Sequence, residues 1–278
     1  QTVTYGGSAW TYSPIKYWPN NTDDQVSFFA VTDASSTKYT FNDLATSSTT
    51  PSFTITDPST DIMIASVLNM EKPTDGSGVE FTFVHTMAQV NFTAALAALA
   101  TDIGASDKTE VTITSLTVDY GTSNTLAGEA TFTFSSSTAS SGDWATTTDS
   151  SVRSNDVFNS AASSAGIGTV LTTTTETTIG APLMILPNSS AAYTVTVVYS
   201  VATTDYDNSN NNSTISNTCE FEINPKDMNT NYTYDLSIGL TAVSVTGTVS
   251  DWSNSTTESY DVPVTSSDAT AVDQSQTT

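Results

Sequence analysis

The 278-residue chain has one cysteine and one histidine, and six basic residues against 29 acidic ones. Each shortage excludes something. With only Cys219, no internal disulfide can form. Toughness must come from the core or from assembly. Cys219 shares the apolar parity of Cys219-Glu220-Phe221-Glu222-Ile223, which predicts a buried, inert thiol. A formal net charge of -23 leaves no cations to displace the counterions of a nucleic acid, and none for a polybasic membrane patch. The bland meaning of that charge is solubility and self-repulsion; the sharper one is divalent-cation binding. No stretch approaches the ~20 apolar residues of a membrane-crossing helix. No basic, then apolar leader precedes Gln1, so any signal peptide is expected to have been removed. Phosphate-binding glycine loops and Cys/His metal clusters are also missing.

What remains is alternation. Tyr193, Val195, Val197, Tyr199 and Val201 share one parity, as do Tyr232, Tyr234, Leu236, Ile238 and Leu240. Thr, Ser and Asn fill the polar positions between. Thr suits a pleated surface with one wet face. The sequence predicts an all-β protein of two antiparallel β-sandwich domains. Strands are expected at Gln1–Tyr5, Trp10–Tyr12, Val26–Val31, Phe53–Ile55, Ile62–Val67, Val111–Tyr120, Thr131–Phe134 and Leu183–Pro187. Val26–Val31 is nearly continuously apolar, which predicts burial on both faces. Val111–Tyr120 shifts parity at Ser115-Leu116. A short helix is expected near Asn155–Ser164. Lys72–Gly78 is the expected linker, with a first domain over 1–75 and a second over 79–263.

The central segment runs from Gly78 to Phe92. Val79, Phe81, Phe83, His85 and Met87 share one parity, which predicts a strand with one apolar face, and the apolar set then flips to Ala88, Val90 and Phe92. Such a flip predicts a bulge or a change of sheet. His85, set among these apolar residues, reads as a satisfied core histidine rather than the base of a Ser-His-Asp relay. No catalytic residue is expected. No carboxylate pair for glycoside hydrolysis stands out among the 29 acidic residues. Asp205 and Asp207 are the one metal candidate. They place oxygen ligands at alternate positions, but the loop has Asn210 and Ser216 where a calcium loop needs glycine and glutamate. No cofactor is expected. Trp10, Tyr12, Tyr17 and Trp18 form an aromatic cluster open to two readings, a sugar-stacking platform or core packing. Core packing is favoured, because the cluster runs into Phe28-Phe29. The sequons Asn91-Phe92-Thr93 and Asn231-Tyr232-Thr233 are frequent by chance in so Asn/Thr-rich a chain.

Several motifs, in order, resemble one family. Trp10-Thr11-Tyr12-Ser13-Pro14-Ile15-Lys16-Tyr17-Trp18-Pro19 followed by Val26-Ser27-Phe28-Phe29-Ala30 resembles the fimbrillin-like (Mfa-like, FimA-type) proteins of Bacteroidales. Asp61–Ala65, Phe83–Val90, Leu183–Pro187, Tyr232–Leu240 and Asp251-Trp252 are similar to later family features. The resemblance covers roughly 1–263. It implies two transthyretin-like sandwiches with Greek-key-type connections in a surface fimbria of the type V pilus kind. It also implies export through the outer membrane by way of a lipoprotein precursor, with no membrane insertion of the mature form.

Family members carry further strand sequence before the position matching Gln1, so the first domain is expected to lack a strand or more. The partners implied are copies of the same chain in a filament, anchor and tip subunits, and host or bacterial surface ligands. A donor strand from a neighbour is expected to fill the open groove by strand addition. The candidate donor is the segment 258–278, with Tyr260, Val262, Val264, Ala269 and Ala271 as its alternating positions. The competing expectation is a tip adhesin or monomeric glycan-binding protein. A lysine-bridged Gram-positive-type pilin is disfavoured by the few lysines.

Overall fold

The computed structural model describes the chain except residues 1, 9, 22–23, 33–38, 43–49, 56–60, 98–107, 120–129, 147–157, 160–164, 172–174, 188–191, 205–211, 240–242, 253–256, 263 and 272–278. Over 257–271 it is the backbone that is described. The strands in chain order are β1 (Val3–Tyr5), β2 (Trp10–Tyr12), β3 (Val26–Val31), β4 (Tyr39–Asn42), β5 (Ser52–Ile55), β6 (Met63–Met70), β7 (Val84–His85), β8 (Ala88–Leu96), β9 (Lys108–Asp119) and β10 (Ala130–Phe134). They continue as β11 (Gly142–Thr146), β12 (Phe158–Asn159), β13 (Thr177–Ile185), β14 (Tyr193–Thr204), β15 (Ser213–Ile223), β16 (Thr230–Ile238), β17 (Val243–Asp251), β18 (Thr257–Val262) and β19 (Val264–Ala271). No helix occurs among the described residues, so the protein is all-β.

Two compact units emerge, Gln1–Thr86 with Glu129–Ala145, and Met87–Gly128 with Thr146–Thr278. These extents differ from the division 1–75 and 79–263. The Pro/Gly-rich stretch 72–78 is a connection inside the first unit, because β7 returns to pair antiparallel with β6. The first unit also takes in β10 and β11 from far downstream. Thr131–Phe134 therefore belongs to it, through the pairing of β10 with β5.

The first unit holds a hairpin β1-β2 and two larger sheets, ordered β3-β6-β7 and β11-β10-β5-β4. Its core is aromatic. Phe53 is fully buried, stacks on Phe132 at 5.3 Å and meets Trp144 edge-on at 5.7 Å. Phe29 of β3 meets Phe134 of β10 at 5.1 Å, joining the two sheets. Alternation explains the rest: Thr54 and Thr131, one step out of phase, share a hydroxyl contact of 2.9 Å away from the core. Gly142 is needed where it stands. A Cβ there would lie 2.3 Å from the Thr133 carbonyl oxygen and 2.5 Å from the Phe132 ring. Trp144, on the same strand, donates from its indole to the Thr86 carbonyl oxygen at 2.8 Å.

The second unit is a pair of five-stranded sheets, β12-β9-β14-β15-β19 and β13-β8-β16-β17-β18. All pairs are antiparallel except β8 with β16. β14 and β16 alternate buried and half-buried along their length, as their sequences predict. Phe221 of β15 and Tyr234 of β16 meet across the sheets at 6.4 Å. The parity shift near Ser115 is a bulge. Ser115 and Ile113 face Val198 and Tyr199, which leaves Thr114 exposed and returns Leu116 to the core. A second irregularity, in β13, lies between Ile179 and Leu183. Pro182 falls there, off the ladder, and Gly180 adopts φ 72°.

Three expectations are corrected. The run 79–83 is not a strand: regular pairing begins at Val84, and Phe81 and Phe83 are exposed. The parity flip at Met87 marks a change of sheet, from β7 to β8, one of the two outcomes that it predicts. Val26–Val31 is not buried on both sides. It is an edge strand whose apolar residues are half-buried at most. The helix expected near 155–164 falls largely outside the described residues, and Phe158–Asn159 is a strand.

Two stability outcomes are expected. Phe53→Ala should cost about 3–5 kcal/mol, read from urea unfolding, because it removes the ring on which the aromatic core converges. In the second unit, burial pushes the Cys219 thiol up from 9.0 to about 11. Burial likewise pushes the Tyr232 phenol up from 10.0 to about 12, against a smaller lowering from the Asp227 backbone N–H. A group with a raised folded pKa contributes stability that is intact below its unfolded value and lost as pH rises through the folded one. The melting temperature should therefore fall progressively between about pH 9 and 12, with phenolate absorbance rising in step with unfolding. A Tm unchanged to pH 12 would contradict this burial.

Candidate assembly and binding surfaces

β3 sits at the open side of its sheet, with β6 as its one strand partner among the described residues. Its sequence, Val-Ser-Phe-Phe-Ala-Val, is that of an interior strand. Among the described residues no strand pairs with its other side, the arrangement that invites strand addition. The register of β3 on β6 slips between Val26 and Phe28. Asn69 takes up the slack with φ 52°, and its N–H donates to the Ser27 hydroxyl at 3.1 Å. Beside the strand runs a ladder of rings. Trp18 lies 5.4 Å from Phe28, Phe28 lies 6.5 Å from Phe81, and Phe81 lies 6.3 Å from Phe83.

The candidate donor residues lie in the second unit, split between two strands. Tyr260 and Val262 are on β18, opposite Gly247 and Val245 of β17. Val264, Ala269 and Ala271 are on β19, opposite Phe221, Asn217 and Ile215 of β15. Both strands are the outermost of their sheets. The segment thus passes from one sheet to the other between Val262 and Val264. In the single chain it pairs with β17 and β15.

His85 is satisfied, but not in the core. Its Nδ1 lies 2.5 Å from Asp61 Oδ2, and both side chains are partly exposed. The other Asp61 oxygen, Oδ1, is buried and has no partner among the described residues. The contact pins β7 to the segment leading into β6, next to the Thr86 hydroxyl that donates to the Ile62 carbonyl oxygen at 2.7 Å. Cys219 is fully buried, as its parity predicts. Asp205 and Asp207 lie outside the described residues. Among the described residues no three or more His, Cys, Asp or Glu gather as metal ligands would. The two sequon asparagines are brought together across the parallel pair, Asn91 donating to Asn231 at 2.6 Å. Their amides are therefore engaged with each other.

The aromatic cluster is where sequence reasoning missed. Trp10, Tyr12 and Tyr17 are exposed, not packed. Only Trp18 is partly covered, against Phe28. The signal available in the sequence was the Gly6-Gly7 turn between two runs of only three residues, a ribbon that makes few contacts of its own.

The sequence profile of the fimbrillin-like family matches residues 1–252. The chain belongs to that family. Membership supports a cell-surface location, a fimbrial or adhesive role rather than an enzymatic one, and assembly with other fimbrial subunits. No curated protein matches the chain. Among solved structures, it is similar to a candidate cell adhesion protein of Bacteroides uniformis, at 16% identity and a TM-score of 0.32, over 75% of each chain. It is also similar to one of Bacteroides eggerthii, at 10% identity and a TM-score of 0.32, over 69% of this chain and 63% of that one.

Loss of the His85–Asp61 contact should be felt as stability alone. His85→Ala should cost about 1 kcal/mol in chemical unfolding, since it leaves a half-buried carboxylate without its partner. A destabilisation above about 3 kcal/mol would mean that the pair does more than pin β7.

Proposed function

We propose that the chain is a structural subunit of a bacterial cell-surface fimbria that polymerises by donor-strand exchange. In this reading its C-terminal segment leaves β17 and β15 and adds to the first unit of a neighbouring copy. The observation that carries the reading is the pairing of opposites within one chain. The first unit has an apolar strand, β3, on an open edge. The second unit has a terminal segment held only at sheet edges. Strand addition would cover the exposed backbone of β3 with main-chain hydrogen bonds, and alternate side chains would enter the ring-lined flank beside it. The exchange trades one set of ladder bonds for another, so its driving force lies in covering apolar surface that water otherwise wets.

One observation favours a second reading. β18 and β19 complete their own unit, which is what a monomeric or tip adhesin requires.

A reversible lock separates the two readings. Asn217 and Ala269 are opposite residues on β15 and β19. Opposed residues in an antiparallel ladder lie about 4.5–5.5 Å apart at Cα, within disulfide range. A protein carrying Asn217→Cys, Ala269→Cys and Cys219→Ser should remain monomeric when oxidised and form filaments when reduced. Tracing 257–271 in a cryo-EM reconstruction of those filaments should find the segment in the neighbour's first unit. Filaments formed equally well by the locked protein would remove β19 as donor. Failure of the reduced and wild-type proteins alike to assemble would favour the adhesin.

A further inference from the structure

The hairpin β1-β2 has two unlike faces. Its register sets Val3 opposite Tyr12, Thr4 opposite Thr11 and Tyr5 opposite Trp10. With a side-chain period of two, Val3, Tyr5, Trp10 and Tyr12 share one face, and the two threonines share the other. On the threonine face, the Thr11 hydroxyl donates to the Thr4 carbonyl oxygen at 3.3 Å. On the aromatic face, the rings of Tyr5 and Trp10 lie 5.1 Å apart with their planes inclined at 46°. The Tyr5 hydroxyl donates to the Gly7 carbonyl oxygen at 2.9 Å and so holds its ring in place. Yet Tyr5 is 55% exposed, Trp10 69% and Tyr12 43%. This is an ordered, preset aromatic surface presented to water, the kind of patch that marks a binding site.

Size and charge say what it fits. A ribbon of two three-residue strands offers a face of about 10 Å by 5 Å, from a rise of about 3.4 Å per residue and a strand spacing near 4.8 Å. That face matches one or two sugar rings, and beyond it Ile15 and Tyr17 continue the exposed apolar run at 64% and 88%. Residues 1–15 contain no charged side chain, and the chain as a whole carries -23. The four side chains of the face offer no cation to a sialic acid, a sulfate or a phosphate, and the nearest basic residue in sequence is Lys16. A pyranose has an apolar C–H face and a rim of hydroxyls. Tyr and Trp answer both, with a flat apolar body and a polar edge.

We propose that the Val3–Tyr5–Trp10–Tyr12 face binds neutral polysaccharide, one pyranose ring stacking on the Trp10 indole beside Tyr5. The proposal needs the cell-surface location only for access to such a ligand. It stands whether or not the chain polymerises.

The test is fluorine NMR on monomeric protein labelled with fluorotryptophan. The four tryptophans, Trp10, Trp18, Trp144 and Trp252, are assigned by single Trp→Phe variants. The probes are cellopentaose, maltoheptaose, xylohexaose and mannopentaose, with sialyllactose as the anionic control. The Trp10 resonance should shift saturably with at least one neutral probe, while Trp144, whose indole is bonded inside the first unit, stays still. Trp10→Ala should weaken binding roughly ten-fold or more, and Trp10→Phe should retain part of it. Neither should lower the melting temperature, since the side chain is exposed. The proposal falls if no neutral probe moves Trp10 at millimolar concentration, or if sialyllactose moves it equally. It falls too if the shift follows protein concentration without sugar, which would make the face a self-association surface. Because the measurement is made on monomers, a failure to assemble into filaments leaves its outcome untouched.

Discussion

Every β-sheet that does not close on itself ends in strands with unpaired backbone donors and acceptors, and this protein is organised around where those ends fall. The second unit puts largely polar strands, β18 and β19, at one edge of each of its sheets. β19 covers the outer side of β15, and β18 covers β17, so the last stretch of chain edges both sheets of one sandwich. In the first unit, β3 carries an interior strand's residues at an exterior position, with water on a flank lined by Phe28, Phe81 and Phe83. The assembly reading rests on that difference between the two units.

The first unit is held by contacts of great sequence separation. β10 and β11 arrive from beyond residue 128 to place Phe132, Phe134 and Trp144 around Phe53. Ser66 and Ser140 exchange hydrogen bonds, the Ser66 N–H reaching the Ser140 hydroxyl and the Ser140 N–H reaching the Ser66 hydroxyl. No local propensity in 1–86 contains this information. The unit's core is completed only when a later segment returns, and this long-range closure sets a topology that folds slowly relative to local structure. The charge of -23 adds self-repulsion along the chain, which disfavours non-specific association while such edges stand exposed.

The strands themselves were legible. Tyr193–Val201, Tyr232–Ile238 and Val111–Val118 alternate in sequence and alternate in burial, down to the bulge at Thr114. A pleated strand reports which residues share a face, and a one-step slip would put its whole apolar set in water. The surfaces were less so. An apolar run such as Val26–Val31 reads the same whether one neighbour or two will flank it. The Trp10 cluster reads the same whether it is covered or bare. Asp205 and Asp207 fall beyond the described residues, so their spacing is all there is to read.

The sequence by itself determined the all-β class, the inward faces of the long strands, the buried thiol and the family, because each is written in local periodicity or ordered motifs. The tertiary structure alone decided four further things. It assigned β10 and β11 to the first unit, left β3 at an edge, held the terminal segment on β17 and β15, and left Trp10 in water. The physical reason is common to all four. Burial and strand pairing are properties of neighbours rather than of the segment itself, and for β3, β10 and β19 those neighbours lie tens of residues away along the chain.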